Sequence, residues 1–238
     1  MPYLRRFRRT QRLSPNPFEH AYLNVLLVLT AVVAYPHLPR VGFAAPPQIP
    51  SFASDAALSP AAISSLPTVP QRQRVLGYER AAFGNGWGPA GGCDARGAAI
   101  QAQAISHPQM PAALGCGGID KLHDPYSGQT LSLGAGARVE VDHVLPLAAA
   151  WDLGAHSWDT ATRLRFANDP ANLVVTSREL NQEKSDQLPA EWMPPHRSAR
   201  CWYARRMAHV AESYRLALPV RDVNAMRRAC WFSTLLAN

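Results

Sequence analysis

An Asp-His pair, two asparagines and a lysine carry most of the chemistry available to this chain. Asp142 and His143 lie in Glu140-Val141-Asp142-His143-Val144-Leu145-Pro146-Leu147. Asn172 opens Asn-Leu-Val-Val, and Asn181 and Lys184 bound Asn-Gln-Glu-Lys. A carboxylate (Asp142) and an amide oxygen (Asn181) are hard ligands of the kind Mg²⁺ takes, an ion that keeps several waters and needs few protein ligands. A histidine beside such an ion can take a proton from an attacking water, a general-base role worth about 10²–10⁴ in rate. The ion itself stabilises charge on a phosphorane and its leaving oxygen. These residue types therefore point to metal-assisted hydrolysis of a phosphodiester. An Asp-His dipeptide alone would say nothing; the joint pattern does.

The side chains meet only if regular elements deliver them. The run holding Asp142 and His143 reads as a short apolar strand. Glu140 shares a strand face with Asp142 and is expected to support the site from outside or to serve a surface ion pair. Leu173 to Val175 reads as a second strand running into a helix. Thr176, with Glu179 three residues on, forms a capping box that predicts the helix start there. Asn181 and Lys184 are then i, i+3 neighbours on one face. Strand, strand and helix would gather Asp142, His143 and Asn181.

On these motifs the chain resembles the HNH endonucleases (His-Me finger, ββα-metal), in particular the secreted bacterial branch with a D-H…N-L…N-x-x-K core. The resemblance implies an α+β fold, a ββα-metal core flanked by helices and stapled by disulfides. It implies Asp142 and Asn181 as metal ligands, Asn181 standing where many members have a final His. It makes His143 the general base, and Asn172 the central Asn that braces the loop carrying it, the two forming the catalytic pair. Lys184 would support the fold or touch phosphate. Tyr78-x-Arg80-x-x-Phe83-Gly84, Cys93-Asp94-Ala95-Arg96 and Asp124-Pro125-Tyr126-x-Gly128 match further family positions. Arg80 and Arg96 are read as packing and ion-pairing residues. The implied activity is that of an exported, metal-dependent endonuclease acting on DNA, with RNA as a further substrate, and with low sequence specificity. It would use one divalent ion, Mg²⁺ (Mn²⁺ or another ion as the alternative), and no nucleotide cofactor, as a monomer. One rival is an inactive exported protein that keeps the fold and binds DNA or a surface polymer. Another is a phosphodiesterase or toxin-like effector.

The compartment follows from the N-terminus. Arg5, Arg6, Arg8, Arg9 and Arg12 form a basic n-region, and Ala21 to Tyr35 is an apolar run of h-region length. That run is short of the roughly 20 residues a membrane-spanning helix needs. Gly42-Phe43-Ala44 is a small-x-small site, so residues 1–44 read as a signal peptide; the alternative is an uncleaved anchor facing outside, the one case implying membrane contact. Of 24 Lys+Arg, six lie in this segment (the five above and Arg40), and of 17 Asp+Glu one does (Glu19), which leaves 18 against 16, a net +2 rather than +7. Global basicity therefore does not argue for nucleic acid. A local patch does so better: between His196 and Arg228 eight arginines face only Glu212 and Asp222. Arg205, Arg206, Arg227 and Arg228 are its candidate phosphate contacts, weighed evenly against a solvated helix face.

Four cysteines in an exported chain favour two disulfides, and none has the Cys-x-x-Cys spacing of a zinc site. Spacing leaves three connectivities open. The resemblance, with loop economy, favours Cys93–Cys116 and Cys201–Cys230. Residues 45–69 are rich in Pro, Ala and Ser and read as a flexible tether, with the globular domain over 70–238. Within it, the spacing of Val75, Tyr78, Ala82 and Phe83 predicts a helix ended by Gly84 and Gly86. Asp94 is the expected N-cap of a helix through Ala104. A hairpin turns at Asp124 to Gly128. A short helix follows at Leu147 to Trp151, and an inserted loop separates the two motif strands. Two C-terminal helices are expected, near Arg200–Tyr214 and Val223–Leu235, the second capped by Asp222. His123 and His156 are the remaining histidines to place relative to His143.

Overall fold

The computed structural model describes residues 60–90, 92–105, 116, 118–134 and 138–235; the expected signal segment and most of the expected tether lie outside them. All described residues belong to one compact unit, 48–238. Its fold is mixed α/β. Among the described residues the strands form four two-stranded sheets, and two disulfides join Cys93 to Cys116 and Cys201 to Cys230.

The elements run α1 (Pro60–Ser65), β1 (Thr68–Val69), β2 (Pro89–Ala90), β3 (Cys93–Asp94), α2 (Ala95–Ala102), β4 (Lys121–Asp124) and β5 (Gln129–Ser132). They continue β6 (Val139–His143), α3 (Leu147–Asp152), α4 (Thr160–Asn168), β7 (Leu173–Ser177), α5 (Arg178–Lys184), α6 (Ala199–Ser213), β8 (Leu218–Pro219) and α7 (Val220–Leu235). β6 and β7 pair antiparallel in the register Glu140↔Thr176, Asp142↔Val174 and His143↔Leu173. β7 is a continuous buried run, Leu173 to Thr176, covered on both faces. One face is met by α5, which packs on both strands of the pair.

The main core is built by α6. Its Tyr203, Ala204, Met207, Ala208 and Ala211 are buried at three- and four-residue spacing. α7 packs against it with Val223, Met226 and Cys230, and α1 lies on both helices with Ile63 fully buried. Residues 60–69, assigned from composition to the tether, are therefore part of the folded domain. β1 even pairs with β8 in parallel. Ile63 and Leu66 explain the difference: two apolar anchors in a Pro/Ala/Ser-rich stretch suffice to dock one helical turn and a half.

The hairpin β4–β5 turns where expected. Asp124 accepts from Tyr126 N (2.9 Å) and from the Ser127 hydroxyl (2.8 Å), an Asx-type turn. Gly128 closes it at φ 72°, and a Cβ there would stand 2.7 Å from the His196 ring, so both conformation and space demand glycine. Gln103 joins this hairpin to β6–β7. Its backbone carbonyl accepts from His123 N, while its buried side chain bonds Val175 N and O, each at 2.7 Å, in place of a missing strand.

Four local expectations are corrected. The helix expected from Val75 is only a 3-10 turn, Arg80–Phe83, because Gly77 takes φ 84° and Leu76 lies in solvent. α2 keeps its Asp94 cap (2.7 Å to Gly97 N) but ends at Ala102, where Gln103 turns to the strands. α5 is capped by Ser177, not Thr176, because Thr176 is still paired with Glu140 in the ladder. α7 begins at Val220, and the buried Asp222 lies inside its first turn, where it accepts from Ala190 N at 2.7 Å instead of capping.

Candidate active site

A cleft of about 380 Å³ opens at the end of β6, with Asp142, His143 and Asn181 together in its wall beside Tyr78, Arg80 and Asp186. β6, paired with β7, carries Asp142 and His143 to the cleft, and α5 brings Asn181 to the side chain of Glu140 on β6.

His143 is buried and held at one nitrogen. Its Nε2 lies 2.8 Å from the Ala167 carbonyl. A carbonyl only accepts, so Nε2 carries the hydrogen and Nδ1 keeps the lone pair. The ring stacks on Trp87, with centroids 5.7 Å apart and planes 17° from parallel. Burial pushes its pKa from the ordinary 6.5 down to about 4; the Ala167 carbonyl opposes this, and the Arg80 and Lys184 charges add to it. The imidazole is therefore neutral at neutral pH, with Nδ1 able to accept a proton.

Asp142 is buried with both oxygens engaged. Lys184 Nζ approaches Oδ1 at 2.9 Å, and the Tyr126 hydroxyl donates to Oδ2 at 2.7 Å. Lys184 is fully buried and donates a second bond to the His143 carbonyl at 2.8 Å. Burial raises the Asp142 pKa and lowers that of Lys184, and each partner opposes the shift of the other. Lys184 is thus tied to Asp142 and to the His143 backbone beneath the cleft and is closed off from the surface.

Asn172 is fully buried. Its Oδ1 accepts from Leu145 N at 2.8 Å, its Nδ2 donates to Leu145 O at 3.3 Å, and its own carbonyl accepts from Val144 N. Every amide atom is spent on the turn that follows His143, which makes Asn172 a brace for that turn. Asn181 donates Nδ2 to Glu140 Oε2 at 2.7 Å, leaving its amide oxygen as the atom available to a ligand. Glu140 also meets Arg178 at 3.5 Å, so it serves both the site and a surface ion pair.

For a metal, the donor set is small but of the right chemistry. Asp142 and Asn181 offer hard oxygens in one cleft, and an ionised Asp142, with about four accepting positions for its Lys184, Tyr126 and His143 backbone donors, retains some capacity. Among the described residues no group of three or more His, Cys, Asp or Glu is placed to hold an ion. A cation here would keep most of its waters, which suits Mg²⁺ better than a metal needing a full protein shell.

Several sequence expectations fall elsewhere. None of Arg205, Arg206, Arg227 and Arg228 lines the cleft. Arg206 is buried and donates to the carbonyls of Ala171 (2.7 Å), Leu173 (3.1 Å) and Pro170, so it is a structural arginine and not a phosphate contact. Arg227 and Arg228 are exposed, and Arg205 is half-buried. His123 belongs to the β4 hairpin near Asp124 and His196, and His156 bonds the Trp151 carbonyl. Among the described residues Arg80 makes no ion pair with a carboxylate; it lies in the cleft wall instead. Sequence reasoning missed Tyr126, Trp87 and the Ala167 carbonyl. A bulky aromatic inside a turn motif, as in Asp-Pro-Tyr, was the available sign for Tyr126. Nothing local marks the other two.

Residues 117–228 match the model of the C-terminal domain of GmrSD restriction endonucleases. That span takes in Asp142, His143, Asn172, Asn181 and Lys184 and leaves out Tyr78, Arg80 and Trp87. An uncharacterized secreted protein of Arthroderma benhamiae is 31% identical over 210 residues, covering 87% of this chain and 96% of that protein. No solved structure matches the chain. Among the described residues no helix is long and apolar enough to cross a membrane. The chain belongs to one family with that fungal secreted protein, built around a region similar to the GmrSD C-terminal domain.

Proposed function

We propose that this protein is an exported endonuclease of the HNH type, hydrolysing phosphodiester bonds of DNA, and of RNA as a second substrate, with low sequence specificity and as a monomer. The observation that carries the reading is His143: a neutral imidazole whose Nε2 hydrogen is committed to Ala167, in one cleft with Asp142 and Asn181. In this reading β6, β7 and α5 form the ββα core, and Nδ1 of His143 takes the proton of the attacking water. Asp142 and Asn181 would hold one divalent ion, Mg²⁺ by the hardness of their oxygens, which when bound supplies charge stabilisation at the phosphoryl group. Lys184 and Tyr126 hold the Asp142 carboxylate in place, Glu140 orients the Asn181 amide, and Asn172 fixes the turn behind His143. The match to a restriction-endonuclease domain supports a nucleic-acid substrate, and the secreted relative supports export.

The test incubates the purified protein with duplex DNA, single-stranded DNA and RNA, with Mg²⁺ or with chelator, beside His143→Ala. Wild type should cleave only with metal, and His143→Ala should lose about 10²–10⁴ in rate while remaining folded. Cleavage by His143→Ala at the wild-type rate sinks the proposal. One observation favours the rival of an inactive binding protein: the Asp142 carboxylate is already paired with Lys184 and Tyr126. Tight nucleic-acid binding without cleavage under any divalent metal would select it.

A further inference from the structure

The cleft has a wall that the family match does not cover. Residues 72–87 reach it from outside the 117–228 region and contribute Tyr78 and Arg80 to its lining, with Trp87 behind His143. Arg80 is exposed on this wall, and its charge acts on both Tyr78 and His143.

The other charges of the lining are already matched. Asp142 pairs with Lys184 at 2.9 Å. Asp186 pairs with Arg72 at 2.7 Å and with Arg74 at 3.5 Å. Among the described residues Arg80 has no carboxylate partner, so the cleft presents one guanidinium whose neighbouring carboxylates are neutralised.

The segment holding it is fastened on both sides. Upstream, Arg72 forks onto Asp152 (2.6 Å) and Asp186, and Val75 N bonds Asp152 at 2.9 Å. Downstream, Phe83 is buried against Phe166 and Trp151, and Arg163 Nε donates to the Ala82 carbonyl at 3.0 Å. Arg80 opens the 3-10 turn between these fastenings. An exposed cation on a backbone clamped at both ends is placed in advance of its ligand, which lowers the ordering entropy that binding would otherwise lose.

We infer that Arg80 forms the phosphate subsite of this cleft, binding a non-bridging oxygen pair of a nucleic-acid phosphodiester beside His143. The inference rests on the proposed function for the identity of the polymer. It takes its ligand chemistry from the guanidinium, whose planar fork matches two phosphate oxygens as an ammonium does not. The segment that carries Arg80 thereby belongs to the substrate site and is more than an N-terminal extension of the matched domain.

The experiment measures two quantities on the full chain. The first is binding of a fluorescent 16-mer DNA duplex in chelator, where no cleavage interferes, as a function of salt. The second is kcat/KM for the same duplex with Mg²⁺. The variants are Arg80→Gln, Arg80→Lys and, as an exposed control outside the cleft lining and off the helix that holds Ala167, Arg228→Gln, each with its thermal midpoint. Arg80→Gln should reduce the log–log salt slope by about one, the loss of one phosphate contact. It should also lower kcat/KM by about 10²–10³, the usual effect of removing a donor to developing charge. Arg80→Lys should restore the salt slope but only part of the rate, and Arg228→Gln should change neither. An Arg80→Gln protein that binds and cleaves like wild type overturns the inference, as does a wild type that does not bind the duplex. Arg80-dependent binding without any cleavage keeps the inference and refutes the nuclease reading, so the two fail separately.

Discussion

Replacing Lys184 by Met is the sharpest probe of the buried machinery. The thioether keeps most of the stem volume and removes the ammonium that sits 2.9 Å from Asp142 and 2.8 Å from the His143 carbonyl. Both partners are buried, so the change strands a carboxylate and orphans a carbonyl. Breaking a buried pair from one side costs about 3–5 kcal/mol, a large share of the roughly 5–15 kcal/mol that holds a domain folded. The loss should depend on pH in a stated direction. Burial already raises the Asp142 pKa above its ordinary value. A raised folded pKa gives stability that is present below the unfolded carboxylate value, about 3.9, and is lost as pH rises through the folded value. Without Lys184 the folded value climbs further, so the deficit of the variant should be widest at pH 7 and narrow towards pH 5. Urea unfolding at both pH values, with disulfides intact, measures it. Asp142→Asn/Lys184→Met should recover most of the loss, because no charge is then stranded. An equal deficit at both pH values, or a double variant no more stable than the single, refutes the argument.

Other sites give independent checks. Asn172→Ala leaves Leu145 N and O without their Asn172 partners in a fully buried turn, and should cost about 2–6 kcal/mol in urea unfolding, at about 1–3 for each stranded group. Arg206→Gln removes donors from the carbonyls of Ala171, Pro170 and Leu173, so it should lower the thermal midpoint and leave the salt dependence of DNA binding unchanged; a flattened salt slope would return Arg206 to the phosphate surface. Under the proposed function, activity needs neutral His143, and a pKa near 4 should keep kcat/KM level down to about pH 5; an acid limb near 6.5 would mean that His143 is not the base. The same depressed pKa favours the folded state above the unfolded histidine value, and that contribution fades as pH falls from about 6.5 towards 4.

What the sequence could reveal follows from how locally each feature is specified. The pair β6–β7 and helix α5 are encoded within 139–184 by an apolar run, a buried strand and a cap, and the register then places Asn181 opposite Glu140. That Asp142, His143 and Asn181 meet in one cleft was legible for that reason. The start of α5 was misplaced by one residue because two hydroxyl side chains, Thr176 and Ser177, offer a cap, and only ladder pairing decides between them. Arg206 was misread because an arginine on a helix looks the same whether it faces water or three carbonyls. The 72–87 wall was illegible as a wall. Its place depends on Arg72 reaching Asp152 and Asp186, 80 and 114 residues away, a pairing that no local spacing announces.

By charge alone Lys184 would compete with the ion that the proposed function assigns to Asp142, but the energetics of burial reverse that view. A carboxylate without partners at this depth would protonate, and a protonated acid is a poor ligand for a hard cation. Burial indeed drives the Asp142 pKa upward, and Lys184, the Tyr126 hydroxyl and the His143 backbone amide are the groups that pull it back. Lys184 and Tyr126 meet different oxygens, at 2.9 and 2.7 Å, and the His143 amide takes a third position, while an ionised carboxylate offers about four. Under the proposed function the lysine therefore serves the ligand role by favouring the ionised form of Asp142, which leaves accepting capacity for the cleft. It follows that Lys184→Met should weaken divalent-ion affinity at neutral pH although it removes a positive charge, where simple competition would strengthen it. Calorimetric titration of Mn²⁺ into wild type and Lys184→Met, at a temperature where both are folded, separates the two signs.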